Sequence, residues 1–119
     1  MTITYEQVRE WVLDLPGGRE VVVAEWGHSQ TLRVGDKVLA MGAEGSGQLS
    51  VKASREMQAE LLDGFPEVYE KAPYVGRFGW VRVDLEKADP DDLRDLVEDA
   101  WRRTAPKRVV REFDAREDG

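Results

Sequence analysis

Apolar and polar positions follow two different rhythms along this chain. Val8, Trp11, Val12 and Leu15 recur at helical spacing, which collects them on one face of a helix. Thr4 stands before that run as an N-cap, Gln7 completes a capping-box pattern, and Ile3 and Val8 are spaced as a hydrophobic staple. Pro16, Gly17 and Gly18 stop the helix. From residue 19 to residue 53 the period drops to two. The valine-rich stretch 19–26, the alternating stretch 31–34, and stretches 37–41 and 48–53 read as four strands. Gly35 and Asp36 form a two-residue hairpin turn, and the glycine-rich run 42–47 forms a looser one. In the fourth strand Leu49, Val51 and Ala53 point one way while Ser50 and Lys52 point the other.

Helical spacing then returns. Ser54 caps a second helix with Met57, Leu61 and Leu62 turned inward, and Gly64 ends it. A loop holding Pro66 and Pro73 leads to a fifth strand over 78–85. Asp89 and Pro90 open a last helix as N-cap and first-turn proline. Its inward stripe is Leu93, Leu96, Val97, Ala100 and Trp101, and Pro106 marks its end. The expected fold class is α+β, in the order α-β-β-β-β-α-β-α. It has a five-stranded, mostly antiparallel sheet and three helices largely on one face. Residues 1–110 make one domain, and 111–119 read as a flexible acidic tail.

Composition narrows the functional classes. A chain of 119 residues fits one domain with a core of its own. It holds no cysteine, which removes disulfides, thiolate metal sites and cysteine nucleophiles and points to the cytosol. The first ten residues carry two glutamates, so no leader segment is expected, and no apolar run is long enough for a membrane span. The net charge is −7. It is spread evenly: 6 basic against 9 acidic residues in 1–60, and 11 against 15 in 61–119. Whole-molecule attraction to nucleic acid or anionic lipid is therefore disfavoured, although a local cationic surface is compatible with that total.

Several segments together resemble the MmcQ/YjbR family. Leu15-Pro16-Gly17 closes the first helix, and the hairpin 31–41 reads Thr-Leu-Arg-Val-Gly-Asp-Lys-Val-Leu-Ala-Met. Leu49-Ser50-Val51-Lys52 precedes a helix, Ala72-Pro73-Tyr74-Val75-Gly76 leads into Gly79-Trp80-Val81, and 93–108 matches the closing helix. The resemblance covers nearly the whole chain in order. It implies a compact α+β domain of frataxin-like, double-wing topology and a DNA-binding label. It implies no catalytic residues.

Four surfaces are candidates for binding. Strand alternation that turns Val81, Val83 and Leu85 toward the helices turns Trp80, Arg82 and Asp84 outward. Thr31, Arg33, Ser50 and Lys52 join them on the outer face. A tryptophan among Arg33, Lys52 and Arg82 has the composition of a base-stacking and phosphate-contact platform. It equally has that of a protein-binding hot spot, or of a solvated sheet with Trp80 tucked under the 65–76 loop. That loop mixes Tyr69, Lys71, Tyr74 and Arg77, and long loops in compact domains are often functional. The end of the last helix gathers Arg102, Arg103, Lys107, Arg108 and Arg111. This could be a phosphate-contacting patch, but acid at the start and base at the end is also what the helix dipole favours. Glu6, Glu10 and Asp14 align on the first helix as a loose cation ridge or a plain solvated stripe.

Enzymatic machinery is not evident. The single histidine, His28, sits in Gly27-His28-Ser29 as a turn residue without a positioned acid. The 42–47 run lacks the lysine and strand-to-helix setting of a phosphate loop. We expect no cofactor and no metal. The primary expectation is a non-enzymatic protein that binds DNA weakly and salt-sensitively through Arg33, Lys52, Trp80 and Arg82, with Arg77 and Tyr74 nearby. Arg102, Arg103, Lys107 and Arg108 would be a secondary basic patch. The alternative is a protein-interaction module using the same face around Trp80, with no nucleic-acid binding.

Overall fold

The computed structural model describes residues 2–24, 29–43 and 45–118. Helix α1 (Tyr5–Leu13) starts as its capping box requires. The Thr4 hydroxyl accepts from the Gln7 backbone N–H, and the Gln7 side chain accepts from the Thr4 N–H. Its buried side, Tyr5, Val8 and Val12, faces the sheet. The chain turns immediately into β1 (Gly18–Val23). Gly18 is required at that corner: a Cβ there would lie 1.8 Å from the Val12 carbonyl oxygen.

β2 (Ser29–Val34), β3 (Lys37–Gly42) and β4 (Gln48–Val51) follow as hairpins. Helix α2 (Arg55–Gly64) comes next, then β5 (Tyr69–Lys71), a 3-10 turn over Val75–Phe78, and β6 (Val81–Asp84). Helix α3 (Pro90–Thr104) is capped by Asp89 with Pro90 in its first turn, and α4 (Lys107–Asp118) completes the described chain. The sheet order is β1-β2-β3-β4-β6-β5, and every neighbouring pair is antiparallel. Between Leu32 and Arg33 the β3 partner steps from Ala40 to Val38. Leu39 is left unmatched as a bulge, and both Leu39 and Ala40 are buried.

The architecture is α+β with an antiparallel sheet, as expected, but with six strands and four helices rather than five and three. The extra strand, β5, is a three-residue edge strand between two prolines, too short for a period-two signal. The extra helix replaces the expected tail. Pro106 does end α3, with Ala105 extended at the C-cap, but α4 begins at the next residue. Val109, Val110 and Phe113 of α4 pack against the core. The expected end of the first strand at Trp26 and the turn at His28 lie outside the described residues.

One cluster of buried side chains joins α1, α3 and one face of the sheet, with Trp101, Tyr5, Leu32, Leu39, Leu49, Leu85 and Leu93 its largest fully buried members. α2 is different: it buries no residue fully and packs at the β5 edge. No helix among the described residues is long and apolar enough to cross a membrane.

Candidate functional site

Register defines the outer face. Val21, Thr31, Met41, Ser50, Arg82 and Glu70 lie side by side across all six strands, on the face opposite the Leu32–Ala40–Val51–Val81 row that meets the helices. Arg82 is therefore outward as expected, but its guanidinium is paired with Glu70 directly across the strand. Asp84, two residues along the same strand, adds a second carboxylate to that face. Arg33 is half-buried, donating from Nε to the Thr31 hydroxyl at 2.9 Å and from Nη1 to the Asp36 carbonyl at 3.3 Å. Thr31 is itself sealed, its hydroxyl donating to the Val21 carbonyl at 2.6 Å. Lys52 is half-buried and has no ion-pair partner within 4 Å among the described residues.

Trp80 corrects the expectation most directly. It was expected outward as a stacking surface, yet only 9% of it is exposed. Together with Ala72 it is buried apart from the main cluster. The reason is the course of residues 72–80, which double back between the end of β5 and the start of β6. The Ala72 N–H donates to the Trp80 carbonyl at 3.2 Å, and the Gln58 side-chain amide donates to the carbonyls of Gly76 and Trp80, both at 2.8 Å. Gly79 adopts φ +104°, and its backbone lies so close to the start of α2 that a Cβ would come within 2.6 Å of the Ser54 carbonyl carbon. The indole is covered and is not offered to a base.

What the loop offers instead is Tyr74. It is 96% exposed and is the one non-glycine residue with positive φ among the described residues, at φ 64° and ψ −55°. The Val75 N–H donates to the Pro73 carbonyl at 2.6 Å across it. This makes Tyr74 the centre of a γ-turn of the rare, strained positive-φ form. The strain is held by neighbours on both sides. The Gly76 N–H reaches the Ala72 carbonyl, the Gly79 N–H reaches the Gly76 carbonyl, and Arg55 Nε reaches the Arg77 carbonyl at 3.2 Å. Arg77 lies over the half-exposed Phe78 ring, 4.7 Å from its centre. Between this loop and the β3–β4 hairpin runs a shallow trough of about 330 Å³ bordered by Met41, Ser50, Pro73, Tyr74 and Arg82. The structure thus brings Tyr74 and Arg82 to one depression and removes Trp80 from it. The signal in the sequence was a tyrosine wedged between a proline and a glycine-rich turn.

Two of the five cations expected at the basic helix end, Arg102 and Arg103, are likewise committed within the fold. Arg102 makes a two-pronged bond to Asp114 of α4, at 2.7 and 3.1 Å, and lies 3.6 Å from Glu98. The Asp114 bond holds the guanidinium above its ordinary pKa, and in return holds the Asp114 carboxyl below its own. Arg103 bonds Asp99 one turn earlier at 2.7 Å. Lys107, Arg108 and Arg111 remain exposed on α4 without an ion pair among the described residues. On α1, Glu6, Glu10 and Asp14 do not gather. Among the described residues no group of three or more His, Cys, Asp or Glu side chains converges closely enough to hold a metal ion. His28 lies outside the described residues.

A second opening lies on the helix side. Met57 and Leu61 of α2, Phe65, Tyr69 of β5 and Leu96 of α3 floor a cavity of about 270 Å³, with Asp92, Asp95 and Asp99 along its α3 rim. Tyr69 is buried there. Burial first, then the negative charge of Asp92 and Asp89, raise its phenol pKa above the ordinary value of 10.0.

The sheet order, the one-sided helices and the outer face define a small single-sheet α+β domain. The family model described as YjbR matches residues 13–103, and the chain belongs to that family. The fold is similar to that of a crystal structure of Deinococcus radiodurans protein DR2400, which carries a DUF419 domain. The TM-score is 0.74 at 20% sequence identity, covering 82% of this chain and 75% of that one. No curated protein matches the chain.

Proposed function

We propose that this YjbR-family domain is a non-catalytic, cytosolic protein-binding module whose contact surface is the outer sheet face around Tyr74. One observation carries the reading. A large aromatic side chain stands almost entirely in solvent, on a strained backbone held by at least five hydrogen bonds from its surroundings. Strain of this kind costs about 1–3 kcal/mol, and no internal packing of the ring offsets it. A rigid, exposed tyrosine loses little conformational entropy on contact, and it sits beside a trough lined by Met41 and Arg82, residue types enriched at the energetic centres of protein interfaces.

The nucleic-acid reading has lost its main physical supports. Trp80 cannot stack, Arg82 faces Glu70, and Arg33 is engaged by Thr31 and Asp36. The two readings separate in one experiment. Titrating a random DNA duplex at low salt is expected to give no saturable binding. Retention of a protein partner on the immobilised domain should fall at least tenfold with Tyr74→Ala, the size of effect typical of a central aromatic anchor. Saturable, salt-sensitive duplex binding that disappears in an Arg33→Glu/Lys52→Glu/Arg82→Glu variant would reverse the assignment.

A further inference from the structure

We infer that the groove between α2 and α3 is a second docking site, for a basic amphipathic helical segment of a partner protein. One apolar side chain of that segment would anchor in the cavity while its lysine or arginine side chains meet Asp92 and Asp95. The inference does not depend on the Tyr74 surface, which lies on the other side of the sheet.

The groove is apolar at its base and acidic at its edge. Met57 and Leu61 are half-buried, Tyr69 and Leu96 are each 5% exposed, and Phe65 stands at the mouth with 53% of its surface in solvent. Phe65 touches Tyr69 edge-on, the ring centres 6.4 Å apart. It touches Tyr69 on one side and leaves about half of its surface in solvent. The rim residues Asp92, Asp95 and Asp99 succeed one another along a single side of α3. Asp99 is satisfied by Arg103. Asp92 and Asp95 are exposed and have no cation within 4 Å among the described residues. Glu56, Glu60 and Asp63 are exposed on α2 and extend the negative field across the groove.

Size decides between a small molecule and a peptide. Pockets that enclose drug-sized ligands run from about 300 to 1,000 Å³ and cover most of the ligand. At about 270 Å³, this one holds one or two side chains and lies open along its length between two helices. That is the shape of a helix-in-groove site, where spaced apolar anchors do the binding. The unpaired carboxylates set the sign of the partner, since charge complementarity fixes orientation and rejects acidic competitors. Tyr69 complements this as a neutral phenol, its ionisation opposed by burial and then by the negative charge of Asp92 and Asp89.

A fluorescein-labelled peptide of leucine and lysine, patterned as a one-faced amphipathic helix, serves as the probe, with its leucine–glutamate counterpart as competitor. The lysine peptide should bind and the glutamate peptide should not. Asp92→Asn/Asp95→Asn should weaken binding about fivefold, as expected for two exposed charge pairs. Phe65→Ala, a change at an exposed site that leaves the core intact, should weaken it about tenfold. Glu6→Gln/Glu10→Gln removes the same charge from α1 and should leave the affinity unchanged, as should Tyr74→Ala. Amide shifts on titration should cluster at Met57, Leu61, Phe65 and Leu96. Equal losses in the two charge-neutralising variants, shifts centred elsewhere, or a self-associated state that Asp92→Asn/Asp95→Asn dissociates would each overturn the inference, the last in favour of a second copy as occupant.

Discussion

The α3–α4 corner and the loop over residues 72–80 are built in opposite ways. At the corner the side chains hold the structure. Trp101 is fully buried and donates from Nε1 to the Pro16 carbonyl at 2.9 Å. Its ring meets Phe113 edge-on at 5.0 Å, and Arg102 reaches Asp114 across the two helices. In the loop, backbone groups do most of the holding, with Gln58 and Arg55 of α2 as the supporting side chains. Tyr74 is left with nothing to do inside the molecule. A region that uses its aromatic and cationic side chains for itself is poorly placed to bind anything else. One that fixes its backbone independently can present a side chain to a partner, and this contrast is why Trp101 and Arg102 are weak candidates here and a single tyrosine a strong one.

The contrast can be broken by substitution, and the sizes should rank as follows. Trp101→Ala removes a buried ring and its hydrogen bond. It should lower unfolding free energy by about 3–5 kcal/mol, read from urea denaturation. Gln58→Ala withdraws both donors from the Gly76 and Trp80 carbonyls and should cost about 1–3 kcal/mol. Its amide exchange should accelerate over 72–80 and not at the α3–α4 corner. Tyr74→Gly should raise stability by about 1 kcal/mol, because relief of the positive-φ strain exceeds the added entropy of an unfolded glycine. The same change should abolish partner capture, so stability and function move in opposite directions at one residue. A loss of stability there would mean that the tyrosine is part of the scaffold after all.

The smallest effect concerns pH. Arg102 holds the Asp114 carboxyl below its ordinary value of 3.8. A carboxylate with a depressed folded-state pKa contributes stability that is present above the ordinary value and is lost as pH falls through the folded one. α4 should therefore loosen only in acid, seen as faster amide exchange in 107–118 below about pH 3.8, and Asp114→Asn should show that looseness already at neutral pH. The loop over 72–80 should not respond in that window.

Much of the framework was legible from the chain. Thr4, Ser54 and Asp89 cap the helices as their positions imply, and Gly35-Asp36 turns the β2–β3 hairpin. These signals are local, and local rules suffice for them. The extra elements escaped for physical reasons. β5 draws its stability from pairing with β6 rather than from any pattern of its own, and α4 hides behind a proline that ends one helix and precedes another. The site was harder still. Alternation placed Arg82 on the outer face, but its neutralisation depends on Glu70 from a strand that the periodicity did not reveal. It also turned Trp80 outward, whereas the residue lies just before β6 begins, where the chain folds over it. Strain at Tyr74 is a property of backbone angles and has no signature in composition.

The central claim is that Tyr74 is a recognition element. Its most direct test replaces Tyr74 with a photo-crosslinking benzoylphenylalanine, which keeps an aromatic ring at that position, and illuminates intact cells. A matched substitution at the exposed Glu10 of α1 serves as the control. The account predicts one discrete protein adduct from position 74, absent from position 10 and diminished by Arg82→Glu. An equal pattern from both positions, or a nucleic-acid adduct at position 74, would contradict it.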